Sequence, residues 1–581
     1  MDRYYNLLKE WCDRLIANQI TELKDKNFYG GILCPACSLI HGRIADSVYP
    51  FTLLYDKTGD EKYLTAAKLV IYWAEYNVLR EGNGYFNDKL NFWQGVSAFF
   101  AASLGDALLY HGECLDKETY HKWLAIFERT VEFVYDYFDR PTFHTVINYF
   151  AGECQLMALA YILLGKEKYK EKAYEKAEFV KTFFTEDGLL SGEGPFDIKT
   201  PKNCVCVDIG YNVEESLPAL TVFAYLMKDE EYLKFCAEKF AIHLEFMIPD
   251  GGWDNSWGSR AYKWTYWGSR TSDGAQSGLC ILAKYNPVFA EAAQRNFELY
   301  EKCSLDGYLY GGRMYIEAGE DPCTHHSFCH AKALASMIDI GFEYTKKVTL
   351  PRELEYGVKY FPSVHVHLIS KGDWRATISD DDAMQPGNRK TSSGGSVTLL
   401  WNQKTGPVFA ATVPKYERSE PLNMQWSRHD DDMDCATLRI SDHGYDSVND
   451  FAAEVDVKET EQGIEVVSKG HLKNTDFQPN GKFELAYLFQ ENRFTVTAKA
   501  ENECVLKLPV ICSNKDNVKV TDNKIEIERN GAVITLSSEK PLELEHFIAK
   551  RRFHVIGGFE TIGVIVKLSA GESVGVTVEI Q

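Results

Sequence analysis

Residues 59–64 read Gly-Asp-Glu-Lys-Tyr-Leu, and this short connection between two apolar helical runs decides the fold. Similar connections recur as Gly-Lys-Glu-Lys-Tyr at residues 165–169 and as Lys-Asp-Glu-Glu-Tyr-Leu at residues 228–233. The recurrence of one connection in one helical context is the signature of a repeated supersecondary unit. The repeat therefore predicts an array of helix hairpins.

Helical periodicity divides the first part of the chain into two sets of helices. The inner helices are apolar enough to be buried on all sides and are predicted near residues 43–55, 92–110, 147–164, 211–227, 272–285 and 326–341. The outer helices carry Lys and Glu on one face and aromatic residues on the other, and are predicted near residues 3–20, 61–79, 117–138, 167–184, 230–247 and 287–303. Six such pairs predict a closed (α/α)6 toroid over residues 1–345.

The pattern changes from about Val348 onward to short runs in which apolar and polar residues alternate. Examples are Gly-Ile-Glu-Val-Val at 463–467 and Lys-Ile-Glu-Ile-Glu at 524–528, and Asn-Gly pairs at 480–481 and 530–531 are typical of tight hairpin turns. We therefore predict an antiparallel β-sandwich over residues 346–581. The predicted fold class is α+β multidomain, with an N-terminal toroid and a C-terminal sandwich.

Composition excludes some partners and favours a compartment. The formal net charge of −21 disfavours nucleic acid and anionic membranes as partners. The N-terminus begins an amphipathic helix without an apolar signal core, and no run of 18 apolar residues occurs. Fifteen cysteines, several on helical core faces, fit a reducing environment. We expect a cytoplasmic protein with few or no disulfides.

The loops that lead into the inner helices hold most of the side chains capable of chemistry. Because the inner helices of a toroid run parallel to one another, these loops converge on one face. Sugar rings stack on aromatic side chains while their hydroxyl and carboxylate groups bond to polar ones. Candidate substrate-binding residues are His41, Arg43, Trp93, Tyr149, Glu214, Glu215, Trp253, Asp254, Trp264, Tyr266 and Trp267. The alternative is that the loop aromatics only pack over the helix ends.

Two inner helices open with residues that match a known family. Asn148 and Tyr149 open the third inner helix, and Tyr-Asn-Val-Glu-Glu-Ser at 211–216 opens the fourth. Together with the toroid and sandwich, these residues make the chain resemble the heparinase II/III-like and alginate lyase-like polysaccharide lyases over its whole length. The resemblance implies that Asn148 neutralises a uronate carboxylate and that Tyr211 acts as acid or base. Tyr149 stands where the family's Asn-His pair would place a histidine, so the base stays open.

The chemistry of β-elimination assigns the same roles. Hydrogen-bond donors must draw charge from the uronate carboxylate, a base must remove the C5 proton, and an acid must protonate the leaving oxygen. The candidate catalytic residues are Asn148, Tyr211, His325, His326, Arg260 and Arg270. A helix-capping role for Asn148 and a packing role for Tyr211 are the alternatives. We expect an exo-acting lyase for uronate-containing oligosaccharides or polysaccharides that needs no cofactor for its chemistry.

Other functional classes remain open at this point. A glycoside hydrolase would place two carboxylates on either side of the scissile bond. Glu214 and Glu215 are adjacent on a helix and point about 100° apart, so only one of them can face the mouth. Further acidic candidates are Glu193, Asp254 and Asp273. A sugar-binding protein and an isomerase or epimerase are the remaining alternatives.

Two cysteine pairs suggest a structural metal. Cys34 and Cys37 precede the first inner helix, and Cys323 and Cys329 lie at the start of the sixth. These two helices are neighbours in a closed ring, so four thiolates could bind Zn²⁺ tetrahedrally and hold the ring shut. One cysteine could be replaced as a ligand by His41, His325 or His330. The alternative is that these cysteines are buried free thiols.

Overall fold

The N-terminal part of the protein is a ring of six helix hairpins. A computed structural model describes residues 2–79, 93–139, 146–196, 199–383, 391–418, 420, 424–428, 435–545 and 551–581. The inner helices are Val48–Thr58, Ser97–His111, Ile147–Leu164, Leu217–Leu226, Gln276–Leu282 and Thr324–Ile340. The outer helices are Asp2–Ala17, Glu61–Asn77, Lys117–Tyr137, Glu167–Lys181, Glu230–His243 and Pro287–Lys302. The predicted toroid is thereby confirmed.

The repeated connection ends one helix and starts the next by the same device. Gly59 and Gly165 adopt left-handed conformations, with φ of +66° and +69°, which end the inner helices at little steric cost. The Asp60 carboxylate then accepts a hydrogen bond from the backbone N–H of Lys62 at 3.0 Å and caps the outer helix. The tyrosine that follows is buried in all three copies, at positions 63, 169 and 232.

The fourth inner helix is not continuous. A short helix, Ile209–Tyr211, is followed by a π-helical turn, Asn212–Ser216, and only then by the regular helix Leu217–Leu226. Pro218 has no N–H group with which to close the preceding α-helical turn, which accounts for the wider turn at this point. The π turn sets the directions of Tyr211, Glu214 and Glu215.

The C-terminal part is made of two antiparallel sheets that share one apolar core. The first sheet pairs its strands in chain order: Gly357–Phe361, Val366–Lys371, Trp374–Ser379, Ser396–Asn402 and Gly406–Ala410. The second contains Arg439–Asp442, Tyr445–Asp446, Glu454–Thr460, Gly463–Lys473, Pro479–Phe489, Arg493–Ala500, Cys504–Ile511, Asn517–Thr521, Lys524–Arg529, Ala532–Ser538, Glu543–Leu544, Arg552–His554, Phe559–Leu568 and Ser573–Ile580. Asn530 and Gly531 form a hairpin turn as predicted, whereas Asn480 and Gly481 lie inside a strand.

A continuous apolar core joins the two domains. Trp264 and Tyr266 of the toroid contact the Phe559 ring of the sandwich, with centroids 5.7 and 5.4 Å apart. Asp254 and Arg352 form a fully buried ion pair across the same boundary, at 2.6 Å. This interface fixes the edge of the sandwich against the mouth of the toroid.

One helix in the described part of the chain, Ile147–Leu164, has the length and composition of a membrane span. It is the inner helix of the third hairpin, and most of it is buried inside the toroid. Its apolar character is therefore that of a core helix.

Candidate active site

A cavity of about 350 Å³ lies where several inner helices begin. Eight of its residues were predicted from the sequence: Arg43, Trp93, Asn148, Tyr149, Tyr211, Glu215, Arg260 and His325. The others are Val96, Phe99, Val146, Lys263, Thr271 and Glu420. Because these residues come from distant parts of the chain, closure of the toroid is what assembles the cavity.

Tyr211 is held among cations. The Asp208 carboxylate accepts a hydrogen bond from the Tyr211 backbone N–H at 2.9 Å and so fixes the start of the short helix. The Arg260 guanidinium lies 4.5 Å from the centre of the phenol ring, and Lys263 Nζ lies 3.4 Å from the phenol oxygen. Burial raises the pKa of the phenol, while Arg260 opposes that rise. Tyr211 thus keeps its proton at neutral pH beside groups that would stabilise its anion.

Asn148 does not cap its helix through its side chain. Its backbone N–H donates to Glu193 Oε1 at 3.2 Å, so the Glu193 carboxylate serves the helix start instead. The Asn148 amide Nδ2 donates to Glu215 Oε2 at 2.8 Å, and its Oδ1 has no hydrogen-bond partner within the described residues. The capping role considered for Asn148 is therefore wrong, and its amide is directed into the cavity.

Two buried carboxyl groups flank Asn148. Burial raises the pKa of Glu193 to about 7. Burial, followed by the charge of Asp273, raises the pKa of Glu215 to about 8. Glu215 lines the cavity and Glu193 does not, so at neutral pH the cavity is bordered by a largely neutral carboxyl group at this point.

His325 and Arg43 complete the wall of the cavity. Neither ring nitrogen of His325 has a hydrogen-bond partner in the described parts of the chain, and the ring stacks on Phe328 at 4.7 Å. Arg43 donates to Asp46 at 2.8 Å and to Asp273 at 2.5 Å. The imidazole is therefore open to a ligand, whereas the guanidinium is held in place by two carboxylates.

Three predicted residues lie behind the cavity and not in it. Arg270 donates to Cys323 Sγ at 3.2 Å, and its Nη1 lies 3.3 Å from His326 Nε2. His41 Nε2 lies 3.4 Å from Cys37 Sγ and 3.8 Å from Cys323 Sγ. None of the three lines the cavity, so this placement gives no support to the catalytic roles predicted for Arg270 and His326 or to the substrate-binding role predicted for His41.

The tryptophans of the fifth loop are core residues. Trp253, Trp264, Tyr266 and Trp267 are fully buried and none lines the cavity. The Trp264 Nε1–H donates to the Trp253 carbonyl at 2.8 Å, and the Trp267 Nε1–H donates to the Tyr310 carbonyl at 2.7 Å. This burial argues against their predicted sugar-binding role: the Trp264 and Tyr266 rings contact Phe559 of the sandwich, and the Trp267 ring packs inside the toroid.

Trp264→Ala should therefore act on stability. Removing a fully buried ring from this interface should lower the free energy of unfolding by about 3–5 kcal/mol, measured by urea denaturation. The matched control is Trp93→Ala, on the cavity wall, which should weaken substrate binding by about 1–3 kcal/mol with a smaller loss of stability. If Trp264→Ala weakened substrate binding and left stability unchanged, while Trp93→Ala did the reverse, a sugar-binding role for the fifth loop would be supported.

Two predicted acidic ligands are also structural. Glu214 is fully buried and accepts hydrogen bonds from the Ser269 backbone N–H at 2.8 Å and from the Ser272 hydroxyl at 2.5 Å. Asp254 is neutralised by Arg352 across the domain boundary. Neither carboxylate lines the cavity, which corrects their predicted substrate-binding roles. Of the adjacent pair, Glu215 is the residue that faces the cavity.

Sequence reasoning missed three polar residues of the cavity. Lys263 lies in the same tryptophan-rich loop as Arg260, and its position between aromatic residues was the available signal. Thr271 Oγ1 is hydrogen bonded to the Tyr211 phenol oxygen. Glu420 comes from the sandwich and pairs with Lys263 Nζ at 2.9 Å. No local pattern marks Glu420, because only the packing of the two domains brings it to the cavity.

Comparisons with known proteins agree with this architecture. The structure resembles heparinase III with a TM-score of 0.55 at 13% identity, covering 91% of this chain and 75% of that one. It also resembles a chondroitin AC lyase from Streptomyces coelicolor with a TM-score of 0.51 at 12% identity, covering 100% of this chain and 79–83% of the two forms compared. These likenesses establish the toroid-plus-sandwich fold shared with those lyases.

The sequence comparisons are more specific. The ulvan lyase N-terminal domain profile matches residues 8–353, and the ulvan lyase C-terminal domain profile matches residues 358–581. A broad-specificity ulvan lyase of Formosa agariphila is 38% identical over 584 aligned positions, which span 96% of this chain and 90% of that protein. Fold and sequence together define a polysaccharide lyase that acts by β-elimination. The chain belongs to the ulvan lyase family.

Proposed function

We propose that the protein cleaves a uronate-containing anionic polysaccharide, with ulvan as the candidate substrate, in the cavity that Asn148, Tyr211 and His325 share. The observation that carries this proposal is that three groups converge on one cavity: an amide, a protonated phenol and an imidazole with no hydrogen-bond partner among the described residues. These are the three kinds of group that β-elimination across C4–C5 needs. The cations Arg43, Arg260 and Lys263 suit a carboxylated or otherwise anionic sugar.

In this mechanism His325 takes the C5 proton. Its two ring nitrogens are unpaired among the described residues, so one of them is available to accept that proton. The negative charge left on the sugar spreads into the carboxylate, where the Asn148 amide stabilises it by hydrogen bonding. For this the amide exchanges its present acceptor, Glu215, for the substrate.

Tyr211 acts at the other end of the reaction. As the C4–O bond breaks, the phenol donates its proton to the leaving glycosidic oxygen, and the electron pair of the C5–H bond becomes the C4–C5 double bond. Arg260 and Lys263 lie against the phenol and stabilise the phenolate that results. No water is consumed, in contrast to glycoside hydrolysis.

Glu215 is expected to limit activity at high pH. Its pKa of about 8 means that it ionises as the pH rises through that value, placing a negative charge beside the proposed uronate site. Because this pKa is raised above its value in the unfolded chain, folding stability also falls as the pH rises toward 8. In Glu215→Gln, kcat/KM at neutral pH should stay within about threefold of wild type, and the decline above pH 8 should disappear. If kcat/KM of Glu215→Gln still declined above pH 8, the decline would be due to another titrating group.

The reaction can be tested with purified protein and a panel of uronate polysaccharides that includes ulvan. A lyase produces a C4–C5 double bond conjugated with the carboxylate, which absorbs in the far ultraviolet. We expect that absorbance to rise in step with new reducing ends for ulvan, and to stay flat for an uncharged polysaccharide. New reducing ends without absorbance would overturn the proposal. Exo action stays a prediction; it is tested by whether unsaturated disaccharides appear before oligosaccharides of intermediate size. The cytoplasmic location also stays a prediction.

A further inference from the structure

Four donor side chains that the proposed reaction does not use meet where the ring of hairpins closes. Cys34 Sγ lies 3.7 Å from Cys323 Sγ, Cys37 Sγ lies 3.4 Å from His41 Nε2, and Cys323 Sγ lies 3.8 Å from His41 Nε2. The donor atoms of Cys34, Cys37 and His41 all lie within 4.8 Å of one another. We propose that Cys34, Cys37, His41 and Cys323 bind one structural Zn²⁺ ion.

Three of the donor-to-donor distances match the edges of a tetrahedron around zinc. Zn–S bonds of about 2.3 Å and Zn–N bonds of about 2.0–2.1 Å imply S···S edges of about 3.8 Å and S···N edges of about 3.6 Å. The measured S···S distance of 3.7 Å and the S···N distances of 3.4 and 3.8 Å agree with those edges. Four protein ligands leave no open coordination position, which is typical of a structural zinc site.

The local backbone prepares the first three ligands. The Cys34 N–H donates to the Leu39 carbonyl and the Ser38 N–H donates to the Cys34 carbonyl, both at 2.9 Å. Ser38 takes a left-handed conformation with φ of +57°, which folds the segment back on itself. Cys37 and His41 are thereby brought to the same side as Cys34. A tight Cys-x2-Cys turn is a common arrangement for two zinc ligands.

The surroundings match the charge of such a site. Three thiolates and one Zn²⁺ ion leave a net charge of −1, and the buried Arg270 guanidinium donates to Cys323 Sγ at 3.2 Å. An N–H donor to a ligating thiolate is the expected support from the surrounding shell. Cys323 also stands at the N-terminus of the helix Thr324–Ile340, where the positive end of the helix dipole favours a thiolate.

The proposed fourth ligand is His41, one of the three histidines that the sequence offered in place of a cysteine. Cys329 is buried in the toroid core. It lies six positions after Cys323, which is about 1.7 helical turns, so the two thiols cannot face one centre. His41, from the other side of the seam, takes the place predicted for Cys329.

The site would support the active cavity from behind. Arg43 lies two residues after His41, and His325 lies two residues after Cys323; both line the cavity. The rings of His41 and His325 are in edge contact, with centroids 5.3 Å apart. A metal bound to both the segment 34–41 and Cys323 would therefore hold this part of the cavity wall in place without touching the substrate.

Metal analysis tests the proposal independently of lyase activity. Protein prepared without chelator and without added metal should contain about one Zn per chain by mass spectrometry. A mercurial reagent that blocks thiols should release that zinc in proportion to the thiols titrated, and a Co²⁺-loaded protein should show thiolate-to-cobalt charge-transfer absorption. The proposal would be overturned if the purified protein contained no metal and added Zn²⁺ did not change its melting temperature. It would also be overturned if Cys34 and Cys323 formed a disulfide.

The matched variants are Cys323→Ser and Cys329→Ser, both at buried positions of one helix. We expect Cys323→Ser to lose most of the zinc and to melt at a lower temperature, while Cys329→Ser keeps the wild-type zinc content. Equal zinc content in the two variants would contradict the ligand assignment. If Cys323→Ser does not fold, the mercurial titration of the wild-type protein decides the question.

Discussion

Tyr211→Phe should lower kcat by roughly 10²- to 10⁴-fold, the range for loss of a positioned general acid. The substitution removes one oxygen atom and leaves the ring, which Arg260 covers at 4.5 Å. KM should change little, because the phenol proton is needed only as the glycosidic bond breaks. Initial rates of the rise in far-ultraviolet absorbance with ulvan as substrate, across a range of concentrations, give both constants.

The control for this variant is Tyr149→Phe. Tyr149 also lines the cavity and is influenced by the charges of Arg260 and Arg43. Among the described residues, however, no lysine bonds to its phenol oxygen as Lys263 does to that of Tyr211. We expect its main effect in KM, at less than about tenfold. Near-normal kcat in Tyr211→Phe, or an equal loss in both variants, would remove Tyr211 as the acid.

Asn148→Ala is expected to have the second-largest effect, a loss of roughly 10²- to 10³-fold in kcat, as for removal of one donor to a developing oxyanion. The fold should tolerate the change, because the helix start uses the Asn148 backbone N–H and the Glu193 carboxylate. Melting temperature and kcat are measured on the same preparation. An inactive variant with a wild-type melting temperature supports the proposed role.

Asn148→Asp distinguishes hydrogen bonding from shape. Aspartate has nearly the shape of asparagine but would place a negative charge where the uronate carboxylate is to be neutralised. It should therefore be at least as inactive as the alanine variant, with a higher KM. Activity above that of Asn148→Ala would show that the amide does not meet a carboxylate.

The fold could be predicted because its signals are local and repeated. The left-handed Gly59 and Gly165, the Asp60 cap and the tyrosines at 63, 169 and 232 mark three of the six hairpins within a few residues. The alternating runs after Val348 mark the strands in the same way. The Asn-Gly pair at 480–481 misled because it lies at a bulge near the start of the strand Pro479–Phe489. There Lys473 pairs with Pro479 and His471 with Lys482, and Gly481 takes a φ of +80° without reversing the chain.

The site could be predicted only where a residue type and a helix start coincide. Asn148, Tyr211 and His325 each lie at such a position and line the cavity. The fifth-loop tryptophans also precede an inner helix but are fully buried, Trp264 against Phe559 of the sandwich and Trp267 against Tyr300 of the toroid. Whether an aromatic loop meets sugar or protein depends on domain packing, which has no local sequence signal. For the same reason the sequence alone does not predict that Glu420 lines the cavity.

The ion pair between Lys263 and Glu420 has an evolutionary consequence. The toroid supplies the phenol and the lysine beside it, while the second domain supplies the lysine's counter-charge. If recombination replaced the sandwich with that of a distant relative, a different residue would stand at position 420. Lys263 would then lose its partner and its contact with the Tyr211 phenol would change. The two halves of the gene are therefore expected to descend together, and substitutions at 263 and 420 to be correlated among homologues.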